Sequence, residues 1–257
     1  MGVRPNAAGK SVNSPAGYPR QLAKLVGDLR LVELGCGGAT TKSFIACDKP
    51  CAPARKPGYK NSSARTSQLA TAERFLKRNR GKIAFVTIDI GANDVLSCAK
   101  GGNIDLLCVN KGIPAIKKYG PKIAKRLRKA GGTKLPMAVT TIYDPFLQQW
   151  FNGSTGQTIA AASVDIARKS FNPAIVNAFK PYDFKIAKTA EAFSTYVPFS
   201  RTTTFGGQTG VPVAVAEICR LTFMCNPPPV GPNIHAKQAG YGVMATAFRK
   251  ALGKAAR

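Results

Sequence analysis

The chain is poor in acid and nearly without histidine. Twelve Asp and Glu stand against 38 Lys and Arg, His235 is the one histidine in 257 residues, and the formal net charge is +26. A single imidazole excludes a multi-histidine metal centre and confines imidazole acid–base chemistry to one position. No stretch approaches the ~20 apolar residues of a membrane-spanning helix. No repeat, low-complexity tract or linker composition breaks the sequence, which points to one domain over residues 1–257. The opening stretch, MGVRPNAAGKSVNSPAGYPRQ, has neither the apolar run nor the small-residue cleavage site of a secretory signal peptide.

What is present suffices for an ordinary core. Hydrophobic residues make up 44%, and at this length a fold buries roughly 70–75% of the unfolded chain's surface. Basic residues run from Arg4 to Arg257, densest at Lys117, Lys118, Lys122, Lys125, Arg126, Arg128 and Lys129, the spacing of one solvated helix face. Such a charge attracts anionic surfaces, lipid or cell-wall polymer. No RNA-binding aromatic motif, zinc-finger spacing or basic zipper accompanies it, so specific nucleic-acid binding is not expected.

Seven cysteines cluster along the chain: Cys36, Cys47 and Cys51; Cys98 and Cys108; Cys219 and Cys225. This reads as local disulfide staples formed in an oxidising compartment, Cys98 with Cys108 and Cys219 with Cys225. Cys36, Cys47 and Cys51 permit more than one pairing, Cys36 with Cys47 among them. A zinc site is the weaker reading, because Cys47-x3-Cys51 and Cys219-x5-Cys225 make poor halves and no histidine lies near either.

Helix and strand patterns alternate, which predicts an α/β fold with a mainly parallel sheet covered on both faces. Helices are predicted over Tyr18–Leu29, Ser63–Arg78, Gly112–Ala130, Ile159–Phe179 and Asn233–Leu252. Strands are predicted over Leu29–Leu34, Lys82–Ile90 (KIAFVTIDI), Leu135–Ile142 and Phe184–Ala187. In such sheets ligands bind beyond the carboxyl ends of the strands. Three segments fall there: the Gly-rich turn Gly35–Thr41, Gly91-Ala92-Asn93-Asp94, and Asn233-Ile234-His235 before the last helix.

In this order the three segments resemble the motif blocks of the SGNH, or GDSL, hydrolases, in particular their secreted bacterial lipase and esterase branch. LGCGGATT resembles the second block, whose glycine helps form the oxyanion hole and corresponds to Gly38. IDIGANDV resembles the third block, whose asparagine is the other oxyanion donor and corresponds to Asn93. GPNIHAKQAGYGVMA resembles the fifth block, whose histidine is the general base and corresponds to His235. YDPF at Tyr143–Phe146 and the Cys219–Cys225 segment ahead of a Pro-rich stretch add to the likeness, which runs from about Gly2 to the end.

The resemblance implies a three-layer α/β/α flavodoxin-like fold, a secreted monomer and carboxylic ester hydrolysis without a cofactor or metal, with a lipid or acylated small molecule as substrate. In that chemistry a serine attacks the carbonyl, the imidazole takes its proton, and N–H donors hold the oxyanion about 2.7–3.1 Å away.

Two departures qualify the expectation. The Gly-Asp-Ser-Leu block, which ends the family's first strand and supplies the nucleophile, is not in the chain; Ser11 and Ser14 follow no predicted strand and do not replace it. The first strand is therefore expected to be missing, and a misplaced start is the favoured explanation. Second, Asn233 stands where the family has an aspartate, and an amide there is expected to favour the wrong imidazole tautomer and to supply no charge. The competing reading is a non-catalytic relative that binds acyl or glycan ligands in the same cleft.

Overall fold

In the computed structural model residues 2–27, 29–46, 67–100 and 103–256 are described. A hairpin opens the chain, β1 (Val3–Pro5) against β2 (Ser11–Asn13). Helices α1 (Tyr18–Val26), α2 (Thr41–Ala46) and α3 (Gln68–Arg78) follow, the last capped by the Ser67 hydroxyl, which accepts the Ala70 N–H. Next come β3 (Val86–Ile88), α4 (Ala92–Val95) and a small hairpin of β4 (Ala99–Lys100) and β5 (Asn103–Ile104). Helix α5 (Leu106–Gly131) leads to β6 (Met137–Thr140), and α6 (Gly153–Ile166) and α7 (Asn172–Phe179) lead to β7 (Phe184–Ala187). The chain ends with α8 (Thr189–Ala192), the hairpin β8 (Thr202–Phe205) and β9 (Gln208–Pro212), α9 (Val213–Leu221), β10 (Thr222–Phe223), β11 (Asn233–Ala236) and α10 (Gln238–Leu252).

The fold is mixed α/β around a small parallel sheet ordered β3-β6-β7. Val86 lies opposite Met137, and Met137 opposite Phe184. All four residues of β6 are buried, as expected of a central strand covered on both faces. Successive side chains alternate between two cores. Met137 and Val139 join Ile116, Ile123, Ile175 and Phe179 under α5 and α7, while Ala138 meets Leu22, Ile218 and Phe248 under α1, α9 and α10. The small alanine suits the second core, where α10 packs directly onto β6 and β7.

Several predicted boundaries move for identifiable reasons. The strand expected over 82–90 shortens to Val86–Ile88, the residues that face β6. The helix expected over 159–179 divides at a wider π turn, Ala167–Phe171; Pro173, without an N–H, cannot continue the earlier ladder. The closing helix begins at Gln238 rather than Asn233, and His235 belongs to β11, paired with β10. The strand expected over 29–34 is not formed, although Arg20 contacts Glu33 at 3.4 Å and Gln68 donates to the Leu34 carbonyl at 3.1 Å. Among the described residues β3 is an edge of its sheet, and 29–34 does not pair with it.

Arg128 ties the end of α5 to the start of the next two strands. Its guanidinium donates to the carbonyls of Gly132, Leu135, Tyr182 and Asp183 at 2.9, 2.6, 3.0 and 2.8 Å. A planar fork reaches four acceptors that a lysine ammonium cannot span together. Replacing Arg128 by Lys is expected to cost on the order of 2–3 kcal/mol, since hydrogen bonds to a charged donor are worth roughly 1.5–3 kcal/mol each and some are retained. Urea denaturation measures this; an unchanged midpoint would mean that solvent replaces the fork.

Candidate functional site

The two expected oxyanion segments come together beyond the carboxyl end of β3. Asn93 donates from Nδ2 to the Ala39 carbonyl at 3.0 Å, directly after Gly38. Asp94 accepts from the Thr41 N–H at 2.9 Å and the Thr41 hydroxyl at 2.7 Å. Gly38 sits at φ +74° with open space where a Cβ would be, so its glycine answers to backbone conformation rather than to crowding. Crowding acts instead at Gly112 of α5, where a Cβ would lie 2.3 Å from the Asp94 carbonyl oxygen. Helix α5 thus backs directly onto the turn that presents Asn93.

His235 is anchored at the same end of the sheet. Tyr143, just past β6, donates its hydroxyl proton to the Ile234 carbonyl at 2.7 Å. Lys237 holds the other side: its N–H bonds the Leu221 carbonyl at 2.8 Å and its ammonium the Cys219 carbonyl at 2.9 Å. The Cys219–Cys225 disulfide closes the loop that carries β10, the partner of β11.

The histidine and Asn233 form the expected pair, but the tautomer differs from expectation. Asn233 Oδ1 lies 3.0 Å from the His235 backbone nitrogen and 2.6 Å from its Nδ1. A backbone N–H can only donate, so the atom it meets is the amide oxygen and not the NH2. That oxygen must then also accept from Nδ1, which carries the proton. Nε2 is left as the acceptor, the form a general base requires. The expectation of a wrong tautomer is therefore overturned; the missing charge is not. Burial lowers the His235 pKa, and desolvation is its cause.

Sequence reasoning missed an acidic group beside this end of the sheet. Asp89 continues β3, and its charge is felt by Tyr18, Tyr143 and Tyr241, whose hydroxyl pKa values are all raised, burial being the main cause. Nearby protein atoms desolvate Asp89 and raise its pKa, while part of its surface remains exposed. The signal was legible: an acid inside the apolar run KIAFVTIDI. Tyr18 also meets the Thr87 hydroxyl at 3.4 Å, and the Glu33 charge adds to its raised pKa. Asp144 of the YDPF segment is a structural acid. It accepts the Phe146 N–H at 2.9 Å and the Ser163 hydroxyl at 2.6 Å, and burial pushes its pKa to about 6.

Cys98–Cys108 and Cys219–Cys225 are disulfides, and Cys36 is also disulfide-bonded; Cys47 and Cys51 lie outside the described residues. These bonds are compatible with an extracellular protein. No helix among the described residues is long and apolar enough to cross a membrane. No three His, Cys, Asp or Glu side chains among them gather into a metal site.

One histidine gives a single pair of ring C–H resonances in a proton NMR titration. Its midpoint is expected below the ordinary 6.5, and Asn233→Asp is expected to raise it by about one unit or more, because an adjacent carboxylate favours imidazolium. An unmoved midpoint would mean that side chain 233 does not face Nδ1. Stability follows with a definite sign. A folded-state pKa below the unfolded value gives a contribution that is complete above about pH 6.5 and lost as pH falls through the lowered value. The wild-type protein should lose stability from this source below pH 6.5, and Asn233→Asp should lose less.

No family model matches the chain, and no curated protein or solved structure matches it either.

Proposed function

We propose that the chain is the larger part of a carboxylic ester hydrolase of the SGNH type, with His235 as general base and Asn93 and Gly38 as oxyanion donors. The observation that carries this reading is the double hydrogen bond to Asn233 Oδ1, which leaves His235 Nε2 unprotonated at the carboxyl end of a parallel sheet. The loop bonds between Asn93 and Ala39 and between Asp94 and Thr41 support the paired donor role. One N–H of the Asn93 amide binds Ala39, and the other is the donor proposed for a substrate oxygen.

The nucleophile comes, in this proposal, on a further strand running parallel to β3 along its free edge. Three features support a slot of that kind. The sheet order leaves β3 unpaired on one side. Leu29, Leu31 and Val32 are about 40% exposed, in a segment whose sequence is that of a strand. Asp89, just past β3, is exposed although it sits in the apolar run KIAFVTIDI. A strand between 29–34 and β3 would complete an order of the flavodoxin type, pair both neighbours and cover apolar surface worth about 25 cal/mol per Å2. Secretion is part of the proposal and rests on the disulfides; a lipid or acylated small molecule is the proposed substrate.

The test is covalent labelling by a fluorophosphonate of the polypeptide translated with the codons upstream of Met1. Labelling of one serine in the added segment, abolished in His235→Ala, is expected. An in-frame stop without a Gly-Asp-Ser segment, or a complete strand that remains unlabelled, would overturn the hydrolase and favour a non-catalytic binder of acyl or glycan ligands.

A further inference from the structure

Helix α5 carries Lys and Arg but no Asp or Glu in its 26 residues. A solvated helix face ordinarily mixes signs and gains from opposite charges spaced i,i+4, whereas like charges at that spacing destabilise one another. Here Lys118 and Lys122, Lys122 and Arg126, and Lys125 and Lys129 are all like pairs, and all five residues are exposed or half-buried at the surface.

The neighbouring helix adds to the charge instead of offsetting it. Helix α3 packs against α5 and contributes Arg74, Lys77 and Arg78 at the surface. One acid, Glu73, stands between the helices. It accepts from Nε and Nη2 of Arg126, and its pKa is lowered first by that hydrogen bond and then by Arg126, Lys77 and Arg74 as nearby charges. Arg80 joins the helix ends by donating to the carbonyls of Ala130 and Lys129 at 3.2 and 3.1 Å. Both helices therefore present their cations at the surface, and the carboxylates beside them are already engaged, Glu73 by Arg126 and, at the end of α5, Asp183 by Arg128 at 3.8 Å.

The face lies away from the candidate site. The cation-rich ends of α3 and α5 precede β3 and β6, at the amino end of the sheet, whereas Asn93 and His235 follow the strands at the carboxyl end. A ligand held here leaves that site open. The large exposed apolar residues among those described are Leu25, Leu29, Leu31, Val32, Leu107 and Phe151, none within the cationic stretch of either helix. Nothing there can insert into a bilayer as a peripheral membrane helix does. No exposed aromatic offers a base-stacking platform, since Tyr119 is itself partly covered, with Lys118 and Lys122 at 5.5 and 5.8 Å from its ring.

We propose that the α3–α5 face is a docking surface for a linear phosphate polymer, recognised through charge alone and independently of any ester hydrolysis. Closely spaced phosphates would relieve the repulsion along α5, and released counterions would drive binding. The affinity must then fall steeply with salt.

The experiment compares binding of inorganic polyphosphate to the wild-type protein, to a variant with Lys→Gln at 118, 122, 125 and 129, and to a control with Lys→Gln at 10, 188, 250 and 254. The face variant is expected to lose at least tenfold in affinity at 0.1 M salt. Its log–log salt slope should flatten by about 3, at roughly 0.7 for each phosphate of a single-stranded polyanion that the variant no longer neutralises. The control should keep most of both. Thermal melts guard against misfolding: the face variant should melt no lower than wild type at low salt, because repulsion is removed, and polyphosphate should raise the wild-type melting temperature more than that of the variant. Equal losses in the two variants would show that net charge acts without a site, and overturn the proposal. So would tighter binding to phosphatidylglycerol vesicles than to polyphosphate, which would make the partner a membrane.

Discussion

The pairing of strand backbone is the constraint on which the rest of the molecule turns. Each strand residue carries an N–H and a C=O that must find partners when buried. In β6 both sides are satisfied, by β3 and β7, and the strand is wholly buried. In β3 one side alone is paired. Segment 29–34 has a strand's composition without a ladder, and its apolar side chains stay partly in water. Strand character is a relation between two segments, and composition describes only one of them.

This explains what the sequence could and could not reveal. The parallel sheet and the order of its helices were legible because continuous β-branched runs such as VTI and MAVT mark strands covered on both faces, and 3.6-residue periodicity marks the helices between them. Segment 29–34 was misread because composition cannot say whether a partner exists. The start of the last helix was misread for a related reason. Asn233–Ala236 has no strong strand pattern, and its strand exists through pairing with Thr222–Phe223, which the Cys219–Cys225 loop brings alongside. Of the candidate site, the segments holding Gly38, Asn93 and His235 could be picked out beside predicted elements, and the residues themselves only through the resemblance to the SGNH motif blocks. The roles of Tyr143, Lys237 and Gly112 could not, because each depends on contacts with residues distant in the chain.

Charge is distributed with a similar division of labour. The half-buried Asp94 and the buried Asp144 serve structure: Asp94 fastens Thr41, and Asp144 caps the turn after β6. The cations are left outside, on helix faces where few acids answer them.

The Asn233–His235 pair separates two effects that an aspartate normally supplies together. An orienting carboxylate fixes the imidazole tautomer and also stabilises the imidazolium that forms when the base takes a proton. In a serine protease, changing that aspartate to asparagine costs about 10⁴ in kcat, through the wrong tautomer. Here the His235 N–H selects the amide oxygen, so geometry alone secures the right tautomer. What Asn233 leaves unmet is the electrostatic part. Desolvation already disfavours the charged ring, and the amide offers a dipole where a carboxylate would offer a full charge. As the general base proposed above, His235 would be oriented by the amide, while burial disfavours its protonated ring. Its strength, rather than its orientation, is what a carboxylate at position 233 would restore.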